Sequence, residues 1–424
     1  MRYLTDSIIV SIGTFMSTAL LLLVQYLVGR VLGPNDFAVL SLAISIAYIL
    51  SDVSDFGLKS TLVRYMSETS RRYPARSDDC LRTFMVLKFR LTVISSVIAA
   101  LLVPVIAVLV FAQSPVELAL LFSAVGITAG ISMSVAWFIR SVFQAQKQFR
   151  AYALYSVVGN LAFLCLSVVV LSLFISSVLM MLSLAFSYLA WMGLGLARVA
   201  GRNRGSYDVA YQRQIFDFTK WIAASSVTVT LVNRADMLIV AFLLSYVDVA
   251  NYSSAILVAQ VVPLLTTSFS TVLFPSASEI SDLGELGRFV RGSTRMTTGI
   301  SVLMLVPLFL ISRPVSLLFG SEYAAADVIF PIIFVGYLLG LASSPLSLAP
   351  LAVDRPDMLT HLNLIQLIIT IVALPYLIMT WGLVGASLNI LLIRLVTPAY
   401  LAVVTAKVLN GSIAKRQSNS FREQ

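Results

Sequence analysis

FAVLSLAISIAYILSDVSDFGLKSTLVRYMSETSRRYPAR, residues Phe37–Arg76, decides how the rest of the chain is read. From Phe37 to Val63 it is apolar except for short polar residues and Asp52, Asp55 and Lys59, and it then delivers Arg64, Arg71, Arg72 and Arg76 in quick succession. A run of about 20 apolar residues, rising about 1.5 Å per helical residue, crosses a hydrocarbon core of roughly 30 Å. Lys and Arg beyond such a run are retained on the cytoplasmic side. The stretch therefore reads as a membrane span that leaves into the cytoplasm.

Working outward, similar runs recur at 8–30, 84–111, 117–139, 151–174, 178–198, 218–245, 250–274, 294–312, 326–350, 361–380 and 384–408. The loops between them alternate between basic and nearly uncharged. Of the 29 Lys and Arg, 24 fall on one set of loops and tails, among them Lys88, Arg90, Arg140, Arg198, Arg288 and Lys407, against Arg30 and Arg313 on the other. That pattern places both termini in the cytoplasm. With 59% hydrophobic and 12% charged residues, the composition is too apolar for a water-soluble globule of this length. Barrel strands would be half as long as these runs, so helices are expected.

Composition and motifs exclude several function classes. The +9 net charge lines one membrane face, which accounts for it through topology and anionic lipid and gives no reason to expect nucleic acid. Cys80 lies in an expected loop, Cys165 lies inside a span, and His361 is the single histidine; no disulfide or metal site is expected. No phosphate-binding glycine loop followed by Lys-Ser/Thr occurs. No cofactor is expected beyond a proton or sodium gradient as driving force.

A shift of 212 positions superimposes Val28 on Val240, Leu32 on Leu244, Asp36 on Asp248, Ser41 on Ser253 and Ala47 on Ala259, and after a one-residue slip Ser67-Glu68 on Ser278-Glu279. An even number of spans per half gives both halves the same orientation, a parallel repeat. The expected fold is all-α: a polytopic membrane protein of about 12 transmembrane helices, in two six-helix lobes around a central cavity. The lobes are expected at 1–200 and 218–409, with a cytoplasmic linker at 201–217 and a cytoplasmic tail at 410–424.

Ionisable groups inside spans are costly and by default face the bundle interior. Asp52, Asp55 and Lys59, at i, i+3 and i+7, are expected on one face of one helix, with Asp55 and Lys59 able to pair. They are gating or ion-coupling candidates, as is Asp236. Arg394, about 15 Å from the outer start of its span, lies near the membrane centre, and Arg234 lies somewhat outside it. Guanidinium forks suit phosphate, so these two are the candidates for a diphosphate. Asp236 is about 200° around the helix from Arg234, so the pair cannot both point into one cavity. Gln25, Asn160, Gln260, Gln366 and Asn389 are candidates for sugar hydroxyls, with interhelical hydrogen bonding as the alternative role.

Five passages resemble the polysaccharide and oligosaccharide-lipid flippases of the multidrug/oligosaccharidyl-lipid/polysaccharide exporter superfamily. They are SDFGLKSTLVRYMSE (Ser54–Glu68), RADMLIVAFLLSYVDVANYSSA (Arg234–Ala255), LFGSEYAAADVIFPIIFVGYLLG (Leu318–Gly340), LAVDRPD (Leu351–Asp357) and WGLVGASLNILLIRL (Trp381–Leu395). The resemblance implies movement of an undecaprenyl-diphosphate-linked oligosaccharide from the inner to the outer leaflet of a bacterial cytoplasmic membrane. It also implies alternating access through a cation-lined cavity, with a polysaccharide polymerase and chain-length proteins as partners. No catalysis is expected. An exporter of amphiphiles or drugs on the same scaffold is the alternative, followed by a membrane-embedded glycan polymerase or ligase.

Overall fold

The computed structural model describes residues 2–72, 76–200, 205–207, 209–278, 280, 282–306, 308, 313–352 and 357–420. Among them the secondary structure is helical, without a strand. The second residue of the Ser278-Glu279 match, most of LAVDRPD, five residues of the linker and the end of the tail lie outside the described residues. Among the described residues nine helices are long and apolar enough to cross a membrane, or ten if one bent pair is a single span. One of the nine, Asp357–Lys407, carries non-helical Gly382 near its middle and so holds two expected spans. The remaining expected span, 294–312, overlaps the helix Leu283–Leu303, in which exposed Arg288, Arg291 and Arg295 lower the hydropathy, and its end lies outside the described residues.

The chain packs as two units, Met1–Ala250 and Asn251–Gln424. The first contains α1 (Arg2–Val31), α2 (Pro34–Asp55), α3 (Leu58–Arg72), α4 (Ser77–Val110), α5 (Val116–Ala145), α6 (Phe149–Leu173), α7 (Ser177–Ala200) and α8 (Val209–Leu243). α5 is its centre, packing on α2, α3, α4, α6 and α7. Close approach of α2 and α5 rests on small residues: a Cβ on Gly130 would lie 2.8 Å from the carbonyl oxygen of Ala47. Without water to drive association, helices in lipid meet best where small side chains let backbones touch. α6 and α7 are tied by a reciprocal pair, the Tyr155 hydroxyl donating to the Trp191 carbonyl at 2.9 Å and the Trp191 indole donating to the Tyr155 carbonyl at 2.7 Å. α8, which opens the second half of the sequence repeat, packs in this unit on α2, α3 and α4.

The second unit contains most of α9 (Tyr246–Ala259), then α10 (Val261–Ser278), α11 (Leu283–Leu303), α12 (Pro314–Phe319), α13 (Ala324–Ser343), α14 (Leu348–Ala352) and α15 (Asp357–Ser420). α11 begins at Asp282, whose carboxylate accepts the Glu285 amide at 2.8 Å, satisfying one of the first-turn donors. α11 then lies on α13 through Thr297 to the Ala342 carbonyl and Ser301 to the Leu338 carbonyl, both 3.1 Å. The segment before α13 is a short helix and a turn gathered by Asp327, which accepts the amides of Val315 (2.8 Å) and Ser316 (3.2 Å) and the Ser316 hydroxyl.

The repeated Asp36 and Asp248 both sit in the first turn of their helices, where a carboxylate complements the positive end of the helix dipole. Both helices are then interrupted, though at different points: α2 gives way to α3 after 22 residues, and α9 bends by 41° into α10 after 14.

A candidate anion site at the helix break of the first unit

The second span is not one continuous helix. Phe56 (φ 50°) and Gly57 (φ 72°) are left-handed and end α2 with the Phe56 amide on the Asp52 carbonyl. Only glycine enters this region without a Cβ penalty, and here it also makes room, since a Cβ on Gly57 would lie 2.9 Å from the Ala223 nitrogen of α8. The corner overturns the expectation of Asp52, Asp55 and Lys59 on a single helix face, and their pairing changes with it.

Lys59 turns back to Asp52, not to the Asp55 carboxylate. The other oxygen of Asp52 accepts the Thr230 hydroxyl of α8. Asp55 instead accepts the Lys59 backbone amide at 3.1 Å, closing the start of α3, and its second oxygen takes Lys88 of α4 at 3.1 Å. Lys88 also donates to the Ser134 hydroxyl at 2.7 Å. Asp55 and Lys88 are 1% and 3% exposed; a charge removed from water to that degree persists only with a partner and further hydrogen bonds.

Beside these pairs runs a belt of cations on aromatic faces. The rings of Tyr48 and Trp137 lie 5.6 Å apart. Arg234 sits 4.2 Å over Tyr48, while Lys59 at 5.0 Å and Arg140 at 5.7 Å sit over Trp137. Arg140 also meets Tyr152 at 5.2 Å. All are within the distance at which a ring quadrupole attracts a cation. Lys59, Lys88, Arg140 and Arg234 are four cations against the two carboxylates of Asp52 and Asp55. A cluster with that surplus, in a setting of low dielectric, is suited to an anion.

Two of these cations were missed as site residues in the sequence, where Lys88 and Arg140 counted with the basic loops. Both are helical, in α4 and α5. Arg140 had a readable signal, since Trp137 lies three residues before it on the same helix face. Lys88 had none, because its partner is 33 positions away.

Of the other sequence-derived candidates, Arg394 in the second unit lies 5.4 Å over the Tyr337 ring, with its side chain along Gly340. Asp236 is buried and accepts the Met237 amide at 2.8 Å. Asn160 is buried with its amide nitrogen on the Ser17 carbonyl (2.8 Å) and hydroxyl (2.9 Å), and its oxygen accepts the Tyr188 hydroxyl at 3.3 Å. It thereby joins α1, α6 and α7. Gln366 is likewise committed, donating to the Thr397 hydroxyl at 2.9 Å. Gln25 is half-buried in α1, and Gln260 stands at the bend between α9 and α10. Asn389 is fully buried, and neither atom of its amide has a hydrogen-bond partner.

Comparison with known proteins agrees with this architecture. A family model described as "Polysaccharide biosynthesis protein" matches residues 4–281. A curated relative, the probable low-salt glycan biosynthesis flippase Agl15 of Haloferax volcanii, is 22% identical over 205 residues, which is 47% of this chain and 42% of that protein. The chain thus matches less than half the length of this relative. Among solved structures, the lipid II flippase MurJ in an inward closed conformation superimposes with a TM-score of 0.76 at 16% identity, covering 96% of this chain and 91% of that one. An inward-facing multidrug resistance MATE family transporter, itself of the MOP superfamily, gives 0.72 at 16% identity, covering 95% and 98%. At these identities the two structures speak for the fold.

Proposed function

The chain belongs to the polysaccharide biosynthesis protein family, and from that membership, joined to the cation surplus around Asp52, we propose that it is a flippase for a lipid-linked oligosaccharide. Its head would be a phosphate or diphosphate carrying sugars, and its polyprenyl tail would stay in the bilayer. Passing such a head group through hydrocarbon unaided carries a prohibitive desolvation cost. A polar path lined by the protein removes most of that cost, and no covalent bond need change.

The observation that carries the reading is the set of four cations against two carboxylates, three of those cations stacked on Tyr48 and Trp137. Arg234 is assigned to the diphosphate, with Lys59 and Arg140 added to it, and Arg394 is kept as a diphosphate candidate of the second unit. Asp52, held jointly by Lys59 and Thr230 and more accessible than Asp55, is the residue assigned to coupling with a proton or sodium gradient. Gln25, Gln260 and Asn389 are kept as sugar contacts. A cytoplasmic membrane location with both termini inside, and work alongside a polysaccharide polymerase, belong to the same proposal. The alternative, an exporter of cationic amphiphiles, needs aromatic faces or carboxylates to receive its cargo. Here the faces of Tyr48 and Trp137 already carry the protein's own cations.

The test is the leaflet distribution of undecaprenyl-diphosphate-linked oligosaccharide in cells depleted of the protein. Build-up in the inner leaflet that clears on re-expression is the expected result. An unchanged distribution together with new sensitivity to amphiphilic compounds would replace the flippase with the exporter.

A further inference from the structure

α4 is 34 residues long, about 51 Å of helix, whereas crossing the hydrocarbon takes about 20 residues. Its apolar C-terminal portion, Leu91 to Val110, meets that need, so the part from Ser77 to about Arg90 stands at the level of the lipid head groups and beyond. At this level a groove of about 590 Å³ opens between α4, α5 and α7. Val86, Phe89, Phe138 and Leu196 make it apolar, and Arg82 and Arg90 stand along it on α4. Phe89 is 71% exposed and Leu196 39% exposed, so the groove opens outward. Buried Lys88 is part of its lining and so is Thr92, whose buried hydroxyl has no hydrogen-bond partner.

We propose that this groove binds an anionic phospholipid of the bilayer, its phosphate held by Arg82 and Arg90 and its acyl chains laid along Val86, Phe89, Phe138 and Leu196. Charge complementarity selects this occupant: a basic, apolar-floored pocket between helices at head-group depth matches a phosphate ester joined to a hydrocarbon chain, and nothing zwitterionic gains as much from it. Arginine forks suit phosphate oxygens. Arg90 is already held in place, donating to the Tyr207 hydroxyl at 3.1 Å and lying 5.2 Å over its ring. The site does not depend on the flippase reading: of that cation cluster it shares buried Lys88 alone, and Arg82 and Arg90 lie outside the cluster.

The experiment is native mass spectrometry of the full detergent-solubilised chain titrated with phosphatidylglycerol or phosphatidylcholine. Wild type is expected to retain one phosphatidylglycerol in preference to phosphatidylcholine. Arg82→Gln with Arg90→Gln should weaken retention about 30-fold, taking about 1 kcal/mol per basic residue near the membrane surface and 1.4 kcal/mol per tenfold. Leu196→Trp, which fills the groove from an exposed position and leaves both arginines, should weaken it comparably. Tyr207→Phe keeps the charge of Arg90 and should bind as wild type. Arg288→Gln with Arg291→Gln, removing the same charge from α11, should also bind as wild type. If that α11 pair loses binding equally, or if Leu196→Trp binds normally, the attraction is general surface charge and the site is refuted. Equal retention of both lipids by wild type refutes it too. So does displacement of phosphatidylglycerol by undecaprenyl phosphate at equimolar concentration, which would make the groove a substrate entry.

Discussion

Lys88 reaches Asp55 at 3.1 Å from a position 33 residues away, and this contact joins α4 to the end of α2 with both side chains sealed from solvent. Removing one partner leaves the other charge buried and uncompensated. Asp55→Asn should therefore cost about 3–5 kcal/mol, read as a drop in unfolding midpoint of the detergent-solubilised chain. Replacing both, Asp55→Leu with Lys88→Met, should recover most of that loss. A neutral single mutant would show that the pair contributes nothing to stability.

Gly57→Ala places a Cβ at φ 72° and 2.9 Å from the Ala223 nitrogen. The left-handed conformation alone costs roughly 1–2 kcal/mol for a residue with a Cβ, and the clash requires α8 to move off α2. Lower thermal stability and slower flipping are expected together. Normal flipping by a destabilised variant would separate the corner from transport.

Arg234 on Tyr48 and Arg394 on Tyr337 make the same kind of contact in the two units. Alanine at either position should lower head-group binding more than lysine does, since lysine keeps the charge and loses the planar fork. All four variants should fold. Tyr48→Leu should cost about 0.5–2 kcal/mol through the lost ring contact, measurable as reduced stability. Unaltered transport by Arg394→Ala would remove Arg394 from the site.

Asn160→Ala should reduce stability by about 1–2 kcal/mol, by orphaning the Ser17 and Tyr188 groups it joins. Because its amide is spent on packing, the range of glycans moved by the variant should match wild type. A changed glycan preference at wild-type stability would return Asn160 to the list of sugar contacts.

Legibility in the sequence followed the range of the physical signal. Span positions come from hydropathy over windows of about 20 residues, and these survive almost everywhere, including the division at Gly382 between the two runs of α15. α11 starts at Leu283, ahead of the span expected at 294–312, because Arg288 and Arg291 on its exposed side dilute the apolar signal there. The Phe56–Gly57 corner stood inside the most informative stretch and was still passed over. Glycine within an apolar run is compatible with a continuous helix, and only the left-handed backbone reveals the turn. Arg234 and Arg394 were singled out by depth alone. Their ring partners, 4.2 and 5.4 Å away, lie on other helices and leave no local pattern. The Asp55–Lys88 pair was unreadable for the same reason.

The sealed pair also constrains how the sequence can drift. Neither Asp55 nor Lys88 can be exchanged for a neutral residue alone without stranding a charge where water does not reach, so substitutions at the two positions have to arrive together or be bridged by a second compensating change. Lineages that have lost the acid at the end of α2 should have lost the base in α4 as well. The two positions are accordingly expected to behave as one inherited character, whereas Asp52 and Lys59, which retain some access to solvent, escape this burial constraint and are held by the roles proposed for them.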